Sequence, residues 1–110
     1  MKCLYTITAG IGTDKDGNAI DPAFADAACQ STRENISHKL GGVSEVSLVG
    51  GWIDNAGKYV EEPSRRWEVV ADNTDETDQA IRWQAGVVKI AFHQSAVLVT
   101  KAAYLGVEFR

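Results

Sequence analysis

The sequence predicts an α+β domain of ferredoxin-like type, βαββαβ, with a four-stranded antiparallel sheet and two helices on one face. Three observations carry this. Short runs alternate apolar and polar residues with a period of two, and two longer stretches recur at three- and four-residue steps. These elements follow the order strand, helix, strand, strand, helix, strand. The 110 residues read as a single domain, 1–110, without linker or repeat. In such a topology the first and third strands are central.

The first strand runs from Cys3 to Ile11, with Cys3, Tyr5, Ile7, Ala9 and Ile11 on one face and Leu4, Thr6 and Thr8 on the other. Thr13-Asp14-Lys15-Asp16-Gly17-Asn18 is a turn by its chemistry, and lacks the downstream glutamate of a calcium loop. Asp21-Pro22 opens the first helix, since Asp21 can cap free amides and Pro22 suits the first helical position. Phe24, Ala27, Ala28, Ser31, Thr32, Ile36 and Leu40 form its stripe, and Gly41-Gly42 ends it. The second strand is placed at Val43–Trp52, with Val46, Leu48 and Trp52 on one side and Val49 on the other.

Asp54-Asn55-Ala56-Gly57 reverses the chain. Glu61-Glu62-Pro63-Ser64 is expected to interrupt the returning arm, because proline cannot donate to a ladder. The third strand then resumes at Arg65–Ala71. Thr74 or Asp75 caps the second helix, whose first turn holds Asp75, Glu76 and Asp78, as the helix dipole favours. Its core stripe is Ala80, Ile81, Gln84, Val87, Val88, Ala91 and Phe92, with Trp83 at the edge. A last strand is read over Ala96–Thr100 and Tyr104–Phe109, with a kink near Lys101–Ala103. The open sheet face is expected to carry Tyr5 or Leu4, Trp67 or Arg66, and Val49. An uncovered apolar sheet face calls for a partner, and a homodimer is the expectation.

Composition narrows the function classes. Hydrophobic residues make up 45% and charged residues 24%, which fits a folded chain. The net charge of -4 argues against a broad nucleic-acid footprint. Cys3 and Cys29 are too few for a disulfide framework and wrongly spaced for a metal knuckle, so both are expected as small buried thiols. No run is long enough to span a bilayer and the start lacks an apolar signal core, so the expected location is cytoplasmic and no membrane partner is expected.

The chemistry-bearing candidates gather at element ends: Trp52, Glu61, Glu62, Arg65, Arg66, Trp67, His93 and Gln94. Arginine and tryptophan together can hold a small anionic or planar ligand. Adjacent residues of an extended chain point oppositely, so neither Glu61-Glu62 nor Arg65-Arg66 makes a pair on its own. A glutamate paired with Arg65 or Arg66 is the plainer arrangement. His93 can serve as a base and Gln94 can satisfy a loop carbonyl, while Ser95 has no nucleophile elbow around it. The two histidines, His38 and His93, lie far apart, and neither a metal nor a cofactor is expected.

Tyr5…Gly10, Gly17 after an acidic turn, Gly51-Trp52, Glu61 or Glu62 followed by Ser64, and Phe92-x-Gln94-x-x-Val97-Leu98 together resemble an uncharacterised family of small bacterial and phage α+β proteins. Its members share a tyrosine-led first strand, a G-x-W hairpin and an F-x-Q-x-S-V run. This chain departs from that pattern in placing Ser95 directly after Gln94 and in lacking an aromatic residue after Tyr5. The resemblance implies the topology and brings no activity. The leading expectation is a non-enzymatic binding protein, of the kind that phages use to inhibit a host defence system or to sequester a nucleotide signal. The alternatives are a dimeric α+β barrel enzyme using His93, Tyr5 and Trp52 around an apolar pocket, and a structural homo-oligomeric subunit.

Overall fold

The computed structural model describes residues 1–104. It has the expected order: β1 (Lys2–Gly10), α1 (Pro22–Leu40), β2 (Ser44–Ile53), β3 (Tyr59–Asp72), α2 (Asp75–Ala91) and β4 (Leu98–Tyr104). The four strands form one antiparallel sheet in the order β2-β3-β1-β4, with β1 and β3 central. This is the ferredoxin-like α+β arrangement.

The core lies between the sheet and the helices. Cys3, Tyr5, Ile7, Ala9 and Ile11 of the first strand and its exit meet Trp67, Val69 and Ala71 of β3. The helices close over them with Ala25, Cys29 and Ile36 from α1 and Ile81, Ala85, Val88 and Phe92 from α2 and its end. Trp67 is 0% exposed, and its indole Nε1 donates to Glu45 Oε1 at 2.9 Å. Glu45 also takes Arg33 of α1 at 2.8 Å, so one carboxylate ties the edge strand β2 to both layers. Both cysteines are buried and free, and burial pushes the Cys29 thiol up to about 11.

Helix ends follow their residue chemistry. Asp21 accepts from the Ala23 amide, Thr74 from the Thr77 amide, and Gly41 closes α1 at φ 94°. The α1 stripe is rotated from the expected one. Ala25 and Cys29 are buried, whereas Phe24 and Ala27 are exposed. Small residues allow close approach of helix to sheet, and the bulky Phe24 remains outside, edge-on to Phe92.

Three strand expectations need correction. β3 does not break at Glu61–Ser64 but runs through Pro63. Pro63 faces its carbonyl, and hence its nitrogen, to the flank of β1, where Ile11 N donates to Pro63 O at 2.9 Å as β1 leaves the sheet. The missing N–H therefore costs no bond to β2. β4 passes through Lys101–Ala103 without a kink, paired with Tyr5–Cys3 of β1. Its expected continuation beyond Tyr104 lies outside the described residues. On the open face, Leu4 and Arg66 are correct, but Tyr5 and Trp67 are core residues. Val49 shares the helix-side face with Glu45 and Trp67, while Val46, Leu48 and Trp52 turn to the open face. Helices do not cover the edge strand β2, so its more apolar face need not be the inner one.

The β2–β3 ladder outruns β1. The last pair of β1 with β3 is Gly10↔Ser64, while β2 and β3 continue from Val49↔Pro63 to Ile53↔Tyr59. The chain is accordingly elongated, 45 × 27 × 26 Å. Asp54 Oδ1 accepts from the Ala56 and Lys58 amides at 2.9 Å each, and Gly57 takes φ 78° to close the tip. Asp14 builds the same turn with the Asp16 and Asn18 amides, and these amides hold its carboxyl below the usual range.

Candidate functional site

The base of this hairpin brings some of the predicted residues to one sheet face. Alternation puts Trp52, Gly50, Glu62, Ser64, Arg66, Gly10 and Thr8 on the open face of three adjacent strands. Gly50 lies opposite Glu62, and Gly10 lies opposite Ser64. The two glycines leave space that their neighbours use. The Glu62 carboxylate lies across Gly10, and a Cβ there would come within 2.7 Å of Glu62 Cδ. The Ser64 hydroxyl lies across Gly50, where a Cβ would stand 2.9 Å from Oγ. The half-buried Glu62 carboxylate and the buried Ser64 hydroxyl thus fill the space that the two glycines leave.

Glu62 is fixed from the neighbouring loop. Its Oε2 accepts from the Thr13 amide at 3.1 Å, and Gln94 Nε2 donates to the Thr13 carbonyl at 2.8 Å. The His93 carbonyl accepts from the Lys15 amide at 2.9 Å. The β1–α1 loop is thus held by the hairpin on one side and by the end of α2 on the other. His93 makes this possible by adopting φ 48°, which turns the chain sharply after Phe92. Sequence reasoning foresees the carbonyl-binding role of Gln94. It places Thr13 in the turn but misses its bond to Glu62, since a backbone amide leaves no side-chain signal.

The other predicted residues separate. Trp52 is 41% exposed on the open face, a diagonal neighbour of Glu62. Glu61 is on the opposite face of the hairpin, where it serves Tyr59. The Tyr59 ring crosses Gly51, a Cβ on which would lie 2.8 Å from Cε1, and the Glu61 carboxylate as hydrogen-bond partner raises the phenol above its ordinary value. Arg65 and Arg66 face opposite sides, as expected. Arg65 approaches Glu45 at 4.0 Å, and Arg66 Nε donates to Thr8 Oγ1 at 3.4 Å and lies 4.0 Å from Glu68. The expected pairing of Glu61 or Glu62 with an arginine is therefore replaced: the arginines take Glu45 and Glu68, and Glu62 takes an amide. Trp67 leaves the site altogether, because its ring fills the core. The His93 side chain is exposed.

A second polar cluster ties β4 to α2. Tyr5 Oη donates to Asp78 Oδ1 at 2.6 Å, and Lys101 Nζ reaches both Asp78 oxygens at 2.9 and 3.1 Å. Burial raises the Tyr5 phenol, and the bonds from Tyr5 and Lys101 lower the Asp78 carboxyl. Among the described residues no group of three or more histidines, cysteines, aspartates and glutamates is placed to hold a metal ion. No helix among them is long and apolar enough to cross a membrane.

Neither a family model nor a curated protein sequence matches the chain. Solved structures do match its fold. A phage SAM lyase in complex with S-methyl-5'-thioadenosine aligns with TM-score 0.69 at 16% identity, covering 91% of this chain and 79% of that one. The divalent cation tolerance protein Cut A1 from Thermus thermophilus aligns with TM-score 0.57 at 14% identity, over 98% and 88% of the two chains. A DUF3240 family protein from Shewanella baltica aligns with TM-score 0.56 at 9% identity, over 99% and 96%. The fold is therefore one that a phage enzyme shares with other small proteins.

Proposed function

We propose that this chain binds a small sulfonium ligand of the S-adenosylmethionine class on the open sheet face at the base of the hairpin, and that it cleaves this ligand as a lyase of the phage type. The observation that carries the reading is the Glu62 carboxylate, half-buried, anchored by one amide and lying over Gly10 on the open sheet face. A carboxylate with one lone-pair set occupied retains acceptor capacity for a cation or its ammonium group. Trp52 on the same face offers an aromatic surface to a cation or a flat base. The phage lyase with a similar fold was captured with S-methyl-5'-thioadenosine, which supports this ligand class over others.

Lyase chemistry asks little of the protein covalently. The carboxylate of the substrate's own amino-acid arm attacks its γ-carbon, the carbon–sulfur bond breaks with its electron pair passing to sulfur, and the products are S-methyl-5'-thioadenosine and a lactone. The protein's part is to fold the arm into attack geometry and exclude water. Glu62 would hold the ammonium group of that arm, and Trp52 would cover the adenosyl side.

The hairpin arm supports self-association as the working state. Val49 is 73% exposed and Ile53 64% exposed, beyond the reach of both helices. Apolar residues on a projecting arm are covered by a partner surface, and a second copy of the chain is the partner we propose.

Incubation with S-adenosylmethionine, followed by chromatography for S-methyl-5'-thioadenosine and by calorimetric titration, tests the reading. Product release that is lost in Glu62→Gln supports the lyase. Binding without product replaces it by a sequestering role, the non-enzymatic reading. Absence of binding refutes both.

A further inference from the structure

We infer that the outer face of α2 is a self-association surface, separate from the hairpin arm, on which α2 of a second copy of the chain packs antiparallel. Glu76, Gln79, Trp83, Gly86 and Ile90 follow one another at steps of three, four, three and four residues. That spacing is the seam of two packed helices. It lies on the side of α2 opposite the core residues Ile81, Ala85 and Val88. Gly86 is half-buried and the other four are exposed, Trp83 by 63% and Ile90 by 75%.

Gly86 indicates that a helix covers this seam. Glycine in a helix interior is less favourable than alanine. Packing within the chain does not call for it: apart from the helix's own backbone, a Cβ on Gly86 would meet no atom within 4 Å among the described residues. A second backbone approaching closely at that point gives the glycine a use. Two large apolar side chains standing in solvent on either side of it, Trp83 one turn before and Ile90 one turn after, are covered by the same approach.

The order of side chains along the seam fits a second copy of the same helix. In an antiparallel pair with Trp83 of each copy over Gly86 of the other, the bulky residue fills the space above the small one twice, as two-fold symmetry requires. That register sets Gln79 beside Ile90 of the second copy. It also brings the acidic first turn, Asp75 and Glu76, towards the second copy's Lys89, one helical turn from direct opposition and within the span of the two long side chains. Glu76 and Lys89 have no ion-pair partner among the described residues. A parallel pair would instead set Glu76 against Glu76 and Lys89 against Lys89. The inference does not rest on the lyase reading, whose ligand lies on the open sheet face.

Sedimentation velocity of the full chain, over a series from micromolar to millimolar, tests it in a Val49→Ser, Ile53→Ser background that removes the arm. This background is expected to keep a monomer–dimer step. Adding Gly86→Leu is expected to weaken the dimer about tenfold while the monomer melts as high or higher, since leucine is the better helix former and meets open space. Trp83→Ala, at an exposed position, is expected to weaken the dimer with the monomer's melting temperature little changed. Glu76→Lys is expected to weaken it about fivefold, and Glu76→Lys with Lys89→Glu to restore it. A background that stays monomeric throughout overturns the proposal. So does a Gly86→Leu or Trp83→Ala variant that dimerises as the background does, or a charge reversal that the double exchange fails to rescue.

Discussion

Replacing Gly10 by alanine tests the seating of Glu62 most directly, because its effect should change sign with the residue at position 62. In the parent, a Cβ on Gly10 meets the Glu62 carboxylate, with Cδ at 2.7 Å. The carboxylate must swing away and give up the Thr13 amide. A hydrogen bond to a charged group contributes about 1.5–3 kcal/mol, and Glu62 is only half-buried, so the lower part of that range applies. Alanine in place of glycine within a strand returns about 0.5–1 kcal/mol. The net cost of Gly10→Ala is then about 1 kcal/mol, a fall of about 4–8 °C in melting temperature for a domain of this size. In a Glu62→Ala background the obstacle and the bond are both gone, and Gly10→Ala should stabilise by about 0.5–1 kcal/mol. Urea unfolding of the four proteins at one fixed concentration gives the cycle. Coupling of about 1.5–2 kcal/mol is expected. Additivity within about 0.5 kcal/mol would refute the claim that Gly10 exists to seat Glu62.

Other outcomes follow from the same structure. Trp67→Phe removes the indole N–H from Glu45 and opens space at a fully buried position, and should cost about 2–4 kcal/mol by chemical denaturation. Because the Cys29 thiol is raised to about 11, the unfolded chain ionises first as pH rises past the ordinary value of 9.0. Its contribution is intact below pH 9.0 and declines up to about 11, so Cys29→Ala should flatten the alkaline fall in stability over that window. Val49→Ser with Ile53→Ser should lower the mass measured by light scattering if the arm carries self-association, with little change in monomer stability, since both side chains are exposed.

The strands and helices are legible because their periods are strong and their caps are chemical: Asp21 with Pro22, Thr74, and the Asp54 and Gly57 turn all act as their residue types require. The path of β3 through Pro63 is not, because the harmlessness of that proline depends on where β1 ends, a fact of the partner strand. The α1 stripe misleads for a related reason. Alternatives one residue apart look alike when most of the stripe is alanine, serine and threonine, and close packing then selects Ala25 and Cys29. The sheet face of Trp52 and the carbonyl partner of Gln94 are legible, since alternation and position at an element end suffice for that, whereas the partner of Glu62 is not. Trp67 reads as a ligand contact because tryptophan serves cores and sites alike, and only burial separates the two roles. The bond from Thr13 leaves no trace in the sequence, as any residue but proline supplies the same amide.

The outer position of β4 bears on how the chain assembles itself. Its partner strand β1 lies at the far end of the sequence, and the Thr6 and Thr100 hydroxyls that meet across the pair are separated by 94 positions. The β2–β3 hairpin closes over a five-residue turn and can form early, whereas β4 must wait for most of the chain. Until then one edge of β1 is an unpaired template, competent to accept a strand from another molecule. The Asp78 carboxylate, bonded to both Tyr5 and Lys101, favours docking of β4 from the same molecule over a strand that brings no lysine at that position.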